Sequence, residues 1–476
     1  MSISVPGSRE SAALVASVLV SLLVGCASSS PQQEGPATAD LPRPVIVVGA
    51  GVAGLSAARA LHEGGFDVLV LEARDRIGGR TWTRDLDGAP VEMGAMYIHG
   101  IAGNPVAELS DALGLSYQPR ALGLGPSYDA RSRSRIDAEA MRFMLTLFSF
   151  ENELTALADT LPPDASMADA IEHHLDQQGL EGEERRLASF ALYQILVELF
   201  DGGPPDRTSL RYYDQYEELE GGDHLLEGGY VTLVEALAEG LDIRLEEPVE
   251  RIAHGSDGVT ITTDTREYRG SHAIVTVPLG VLKARSIEFE PPLSPRKRTA
   301  IERLDMGNLE KVILRFETAF WRSGSGNANL AYIGERPGEF PVFMDFTDHA
   351  GAPTLLCLYG GQSARDVLDS MSDEEIAERA LAVLGEILQR DVPEPRAVAV
   401  TRWRDDPFAR GSYSYLPVGA SPDDMRELGA PEGDTLLFAG EATVPEYYGT
   451  VHAALLSGLR EARRIGGEGL TLVEPD

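Results

Sequence analysis

The chain has 476 residues with 41 Lys and Arg against 75 Asp and Glu, so its formal net charge is −34. This charge argues against a nucleic-acid-binding protein, because phosphate recognition needs clustered Lys and Arg, and two cysteines are too few for a disulfide scaffold. The length predicts two or three domains, and the acidic surface indicates either simple solubility or cationic small-molecule partners.

The N-terminus has the layout of a secretory signal peptide. Residues 12–24 form an apolar run that is too short to span a bilayer, it follows Arg9, and it ends in Leu-Val-Gly-Cys26. This ending resembles a bacterial lipobox. We therefore expect a signal peptide over 1–26, a flexible linker over 27–43, and anchoring to the bacterial cell envelope, on its extracytoplasmic side, only through a lipid on Cys26. An uncleaved apolar N-terminus is the alternative.

A nucleotide site is predicted where the β-branched run 45–48 enters a helix through the sequence Gly-Ala-Gly-Val-Ala-Gly at 49–54. In such a turn the first glycine permits a tight bend, the second admits a pyrophosphate, and the third lets the helix pack on the strand. Glu72 closes the next strand, at 67–71, and is expected to accept hydrogen bonds from an adenosine ribose. The expected cofactor contacts in the turn are Gly49, Gly51, Ala53 and Gly54.

The continuation from Glu72 to Arg80, Glu-Ala-Arg-Asp-Arg-Ile-Gly-Gly-Arg, resembles the E-A-x-x-R-x-G-G-R extension of the flavin-containing amine oxidase family. That family includes polyamine and spermine oxidases, monoamine oxidases, L-amino-acid oxidases and lysine-specific histone demethylases. The resemblance extends from about residue 44 to residue 465. It implies FAD as the cofactor, with Arg74 and Arg80 near its phosphates and Gly79 in close backbone contact.

Segment 92–100, Glu-Met-Gly-Ala-Met-Tyr-Ile-His-Gly, resembles the family segment G-A-x-W-I-H-G, with Tyr97 in place of the usual Trp. The resemblance implies that His99 lines the substrate cavity, although an ordinary surface or core histidine is the alternative. The family resemblance also implies that the backbone of Val249 meets the adenine of the cofactor. The residues expected beneath the flavin ring are Gly94, Ala95 and Met96.

Segment 306–316 alternates like a strand, and its Gly-Asn-Leu-Glu-Lys-Val resembles the family's G-N-L-x-K-V. The resemblance implies that Lys311 holds a water against flavin N5, with structural support of the flavin as the alternative. Segment 402–415 resembles R-W-x-x-x-P-x-x-x-G-S-Y, which implies that Trp403 packs beside the flavin and that Tyr413 forms a wall of an aromatic cage for the amine. Because Ser412 replaces the flavin-linking Cys of monoamine oxidases, FAD is expected to be non-covalent.

Segments 438–443 and 449–452 resemble the C-terminal flavin motif of the family. The resemblance implies that Gly440 and Glu441 approach the ribityl chain and that the backbone of Thr450 and Val451, at a helix start, meets the pyrimidine end of the flavin. Thr450 stands where monoamine oxidases have a second cage tyrosine, which favours the polyamine oxidases and demethylases. The predicted catalytic set is Lys311, Tyr413, Thr450 and His99.

The fold class predicted is α/β, with a Rossmann-like FAD-binding domain and a second α+β substrate domain containing a mixed sheet plus helices. The FAD-binding domain is expected from 44–115, 225–285 and 400–465, and the substrate domain from 116–224 and 286–399. Within the latter, the acidic stretch 214–223 is either a solvated face or a rim that attracts polycations.

The function predicted is an FAD-dependent amine oxidase that converts a primary or secondary amine, with a polyamine favoured, to an imine by hydride transfer to flavin N5. O2 would reoxidise the flavin and give H2O2, and neither nucleic acid nor a metal takes part. Two alternatives stay open at this stage. One is an L-amino-acid oxidase, which needs an Arg for the α-carboxylate, and the other is an envelope-tethered amine-binding flavoprotein without turnover.

Overall fold

The computed structural model describes residues 43–120, 127–213, 215–322, 329–368 and 370–472. The predicted signal peptide and Cys26, together with nearly all of the predicted linker, lie outside the described residues. No helix in these described ranges has both the length and the apolar character needed to cross a bilayer.

A five-stranded parallel sheet contains four short apolar strands that are largely buried, as expected for strands covered by crossover helices, whereas its edge strand Asp242–Arg244 is polar and mostly exposed. Helix Val52–Glu63 follows the central strand, and helix Val451–Gly466 packs against it so closely that a Cβ on Gly458 would lie 2.1 Å from the Ala53 carbonyl oxygen. The prediction of an α/β, Rossmann-like fold is confirmed. The strand order is Leu436–Phe438, His272–Val275, Val45–Val48, Val68–Leu71 and Asp242–Arg244.

A seven-stranded mixed sheet forms the centre of the second half of the fold, and helix Asp373–Leu388 packs on it through Ile376 and Leu384. A helical layer with its own apolar core consists of Asp137–Thr160, Met167–Gln177, Gly182–Ser189 and the π-helix Phe190–Leu199. The predicted mixed sheet plus helices is therefore present. The strand order is Ala397–Val400, Leu309–Arg315, Thr354–Gly360, Val342–Asp345, Leu330–Ile333, Ser127–Asp129 and Ser134–Arg135.

A separate four-stranded sheet is formed by residues 249–270 and 288–290. Its strand Glu288–Glu290 pairs in parallel with Val249–Gly255, so a piece of the predicted substrate segment pairs with a piece of the predicted FAD segment. The exact domain limits stay a prediction. The remaining strands of this sheet are Gly258–Thr263 and Glu267–Gly270.

Short elements connect the sheets, and one of them positions the site. The two-stranded pair Asp305–Met306 with Ser414–Tyr415 brings Tyr413 beside the start of the strand that carries Lys311. The other short elements are Thr83–Asp85 with Pro90–Glu92, Tyr117–Pro119 with His224–Leu226, and the helices Pro105–Ala112, Leu210–Tyr213, Val231–Ala238, Leu279–Lys283, Pro295–Arg303, Thr347–Ala350, Gly361–Leu368, Pro422–Gly429 and Glu441–Thr443.

Candidate active site

One cavity of about 1380 Å³ is lined by the carboxyl ends of the parallel strands, by the mixed sheet and by the helical layer. Every predicted site residue lines this cavity except Gly54. A Cβ on Gly54 would lie 1.9 Å from the Gly49 carbonyl oxygen, so this glycine serves the close packing of helix on strand that its motif position predicts. The residue roles implied by the resemblance stay predictions, but the fold brings these residues to a single site.

The glycine turn forms a cradle that side chains would fill. Gly51 precedes helix Val52–Glu63, and the protein atoms nearest to a Cβ built on it are 4.0 Å away, at Gly78 and Gly79. No side chain caps this helix N-terminus, so its backbone N–H groups are available to an anion. The cradle fits the pyrophosphate of a dinucleotide.

Glu72 is fixed at the end of its strand. Its carboxylate accepts hydrogen bonds from the Ala50 backbone N–H at 2.7 Å and from the Arg74 backbone N–H at 2.9 Å, and it is almost fully buried. The Arg74 guanidinium forms an ion pair with Asp406 at 2.8 Å. Glu72 and Arg74 line the same cavity as Val249, where the adenosine end of a dinucleotide is predicted.

Glu441 joins three segments of chain around the middle of the cavity. It accepts hydrogen bonds from the Arg80 guanidinium at 2.8 Å, from the Ser414 hydroxyl at 2.5 Å and from the Gly449 backbone N–H at 2.8 Å. The buried carboxylate therefore holds the walls of the cradle in place, and its predicted approach to the ribityl chain stays a prediction.

Lys311 is buried in the cavity wall. Its ammonium donates to the carbonyl oxygens of Glu92 at 2.9 Å and Gly94 at 2.5 Å, and it lies 3.5 Å from the Met96 sulfur. On the opposite face of the strand, Val312 belongs to the core of the mixed sheet, as the alternation predicts. Burial lowers the pKa of Lys311 and raises the pKa of the neighbouring Glu92 carboxyl group, so this pair can hold or release a proton near neutral pH.

Trp403 and Gly94 shape the floor of the same region. The Trp403 indole N–H donates to the Met93 carbonyl at 2.9 Å, and its ring packs edge to face against Trp82. A Cβ on Gly94 would lie 1.8 Å from the Arg80 carbonyl oxygen, which explains the glycine at this close backbone approach. The backbone of this segment is thus fixed beneath the position predicted for the flavin.

Tyr413 and Thr450 also line the cavity. The Tyr413 hydroxyl donates to the Phe200 carbonyl at 2.7 Å, and burial raises the pKa of this tyrosine, so its ring is a fixed neutral wall. Thr450 caps helix Val451–Gly466 by accepting from the Ala453 backbone N–H at 3.1 Å. This cap places a helix N-terminus at the predicted pyrimidine position.

Acidic side chains surround the outer part of the cavity. Glu151, Glu218 and Asp223 line it, and we name these three residues the acidic rim. The imidazole of His99, about half exposed, lies 2.8 Å from Asp223. The stretch 214–223 contributes two carboxylates to the cavity wall and Glu151 adds a third from the helical layer, while the attraction of polycations by this rim stays a prediction.

Four residues that the motifs do not indicate also line the cavity. They are a buried carboxylate and three tyrosines, and the Tyr216 ring packs edge to face against Tyr448 at 5.9 Å. A signal for Tyr448 exists in the sequence, since it directly precedes Gly449 and Thr450. The other three residues could not be predicted from the sequence, because only the packing of the helical layer brings them to the cavity. The four residues are Asp201, Tyr213, Tyr216 and Tyr448.

No group of three His, Cys, Asp or Glu side chains suited to a metal ion occurs in the part of the chain that the structure describes. Cys357 is buried in the mixed sheet as a free thiol, and burial raises its pKa well above the usual value. A thiol in this state is a packing residue and not a nucleophile.

A parallel sheet with a glycine-lined cradle, continuous with a lobe of aromatic and acidic side chains, is typical of proteins that bind a dinucleotide cofactor beside a small-molecule site. The chain belongs to the flavin containing amine oxidoreductase family, whose model matches residues 52–466. Membership of this family identifies the dinucleotide of the glycine cradle as FAD.

Relatives of known sequence and structure agree with this family. Polyamine oxidase 4 of Oryza sativa subsp. japonica is 35% identical over 436 residues, which cover 88% of each chain. Lysine-specific histone demethylase 1 homolog 1 of Arabidopsis thaliana is 37% identical over 446 residues, or 89% of this chain and 52% of that protein. The chain spans about half the length of the first curated relatives it matches. A putrescine oxidase bound to putrescine superposes with a TM-score of 0.71 at 25% identity, covering 89% of this chain and 99% of that one.

Proposed function

We propose that the protein oxidises a primary or secondary amine, with a diamine or polyamine favoured, to an imine. The observation that carries this proposal is the substrate lobe, in which tyrosine rings and carboxylates surround the wall that contains Lys311. FAD, when bound, supplies the hydride acceptor at N5, and its reoxidation by O2 yields H2O2. The polyamine oxidase and putrescine oxidase similarities support the same substrate class.

The acidic rim would draw a cationic amine toward the cavity. Its three carboxylates add a local negative charge to a chain whose formal net charge is −34. The electrostatic field at the entrance of the cavity therefore attracts di- and polycations more than monocations. The same field repels the α-carboxylate of an amino acid, which weighs against the L-amino-acid alternative. Inside the lobe, the face of Tyr413 attracts the amine, and a neutral nitrogen is the form able to lose hydride from its α-carbon.

Lys311 would orient the backbone beneath the reacting centre and hold a proton there. Its hydrogen bonds to the Glu92 and Gly94 carbonyls fix the segment that carries Met96, and the burial that lowers its pKa keeps the proton exchangeable. The presence of all four predicted catalytic residues in one cavity weighs against an amine-binding protein without turnover.

The proposal is tested by mixing the holoenzyme anaerobically with putrescine, spermidine, spermine, n-butylamine and L-amino acids, and then assaying H2O2 in air. We expect bleaching of the flavin and peroxide release with at least one di- or polyamine. Bleaching by L-amino acids alone would establish the amino-acid oxidase alternative. A coloured protein that no amine bleaches would contradict the proposal and favour binding without turnover.

We propose further that FAD is held without a covalent bond. The Ser412 hydroxyl, at the position of the family's flavin-linking Cys, donates to the Leu309 carbonyl and accepts from the Leu309 backbone N–H, both at 2.8 Å. A hydroxyl is no substitute for the thiol in a flavin linkage, so acid precipitation of the holoenzyme is expected to release all of the yellow colour into the supernatant. Flavin that stays with the protein pellet would contradict this expectation.

For the location of the protein, we propose anchoring to the bacterial cell envelope through a lipid on Cys26. The support is the sequence alone, in which the apolar run 12–24 ends in Leu-Val-Gly-Cys26. Mass spectrometry of the mature protein expressed in a bacterial host is expected to show an acylated Cys26 as the first residue. Recovery of an intact Met1 would contradict both the processing and the anchor.

A further inference from the structure

Asp201 follows the π-helix Phe190–Leu199 and lines the cavity beside the predicted aromatic cage. Its backbone N–H donates to the Val197 carbonyl at 2.9 Å, and the next residue accepts from the Asn308 backbone N–H through its carbonyl at 2.8 Å. A Cβ on Gly307 would lie 2.5 Å from the Asp201 carbonyl oxygen, so this glycine lets the two segments meet. The position of Asp201 is thus fixed against the strand that carries Lys311.

One oxygen of the Asp201 carboxylate has no hydrogen-bond partner among the described residues. This Oδ2 atom is shielded from solvent and accepts no hydrogen bond, and among the described residues the only side chain whose hydrogen bonding lowers the pKa of this carboxyl group is the neutral Tyr213. The adjacent Tyr213 hydroxyl donates to the Leu196 carbonyl at 2.9 Å. Burial raises the pKa of Asp201 to about 7. A buried carboxylate without a cation destabilises a fold, so such a group at a cavity indicates a ligand that supplies the missing charge.

The surroundings of Asp201 suit an organic cation. Tyr213, Tyr413 and Tyr448 line the same part of the cavity, and the charge of Asp201 helps to raise the pKa of each of these tyrosines, which shows that all three are close to the carboxylate. Aromatic faces and one carboxylate together attract an alkylammonium group, whereas a metal ion would need more oxygen ligands.

We propose that Asp201 binds a second, protonated amino group of the substrate, and that it thereby selects diamines and polyamines over monoamines. This inference rests on the proposed function. The Tyr413 hydroxyl donates to the carbonyl of Phe200, the residue before Asp201, so the backbone at Asp201 lies at the hydroxyl end of the Tyr413 ring. A carboxylate facing the reacting nitrogen would favour its ammonium form, which cannot lose hydride from the α-carbon, so the charge fits the amino group that is not oxidised.

The test compares the wild-type holoenzyme with Asp201→Asn, using putrescine and n-butylamine, which have the same carbon chain but differ in the second amino group. Anaerobic rapid mixing separates the apparent Kd from the limiting rate of flavin reduction. Asp201→Asn is expected to weaken putrescine binding by about 30-fold or more, because a buried charge loses its partner, while n-butylamine binding stays unchanged. Asp206→Asn makes the same change at an exposed position outside the cavity, five residues further along the chain, and is the matched control that is expected to leave the putrescine Kd unchanged.

The outcomes are separable from those of the proposed function. If Asp201→Asn weakens the binding of both amines equally, or leaves the binding of putrescine unchanged, the proposed role of Asp201 is wrong. If no amine reduces the wild-type flavin, putrescine binding measured by calorimetry still decides the question, because Asp201→Asn must weaken it by about 30-fold or more and Asp206→Asn must leave it unchanged. Should Asp201→Asn lose FAD, Asp201→Glu keeps the charge and must retain the preference for putrescine, or the proposal is wrong.

Discussion

Replacing Lys311 with Met is expected to lower the rate of amine-driven flavin reduction by at least about 100-fold, the effect typical of losing a positioned proton-transfer group. The side chain is buried, so Met fills the same space, but the carbonyl oxygens of Glu92 and Gly94 lose their donor. The segment beneath the flavin then loses its orientation together with the exchangeable proton. Single-turnover absorbance at the flavin band measures the effect directly.

Lys297 provides a matched control elsewhere in the fold. It is fully buried, it donates to the carbonyl oxygens of Glu427, Leu428 and Ala430, and burial lowers its pKa to about 8, yet it does not line the cavity. Lys297→Met is therefore expected to lower the melting temperature while leaving flavin reduction intact. If Lys311→Met reduces flavin at the wild-type rate, or if both variants lose activity equally, a specific role for Lys311 is wrong.

The sequence predicts the nucleotide half of the site well, because the constraints there are local. Gly49, Gly51 and Gly54 owe their identities to backbone approaches within one turn, and Glu72 follows on the adjacent strand. Short-range spacing of this kind is visible in a single chain. The register of the strand at Lys311 is likewise predicted by its alternation, since one face must enter the core of the mixed sheet.

The substrate half is less predictable, since its residues come from distant segments of chain. Asp201, Tyr213 and Glu151 meet only when the helical layer packs over the cavity. Nothing in a window around Asp201 separates it from an ordinary solvated aspartate, and the π-helix that precedes it has no sequence signature. The unsatisfied Oδ2 atom of this carboxylate becomes evident only from burial and hydrogen bonding in three dimensions.

Gly51→Val is expected to give a folded but colourless protein. Gly51 has φ −77° and ψ 177°, which any residue adopts, and a Cβ there meets no protein atom closer than 4.0 Å. The new side chain would instead occupy the cradle where the pyrophosphate approaches the backbone, and overfilling such a contact lowers affinity by about 10-fold to 100-fold. Flavin absorbance per mole of purified protein measures the loss, and circular dichroism measures the fold.

Gly255→Val is the control for the substitution itself, because Gly255 ends a strand with open space around its Cα and lies outside the cavity. It is expected to retain full flavin content. A yellow Gly51→Val protein would show that the dinucleotide does not approach Gly51. Loss of helical signal in Gly51→Val would show that Gly51 is needed for the packing of helix on strand. That is the role of Gly54, where a Cβ would lie 1.9 Å from the Gly49 carbonyl oxygen. The two glycines of one motif therefore serve separable purposes, one admitting the cofactor and the other admitting the helix.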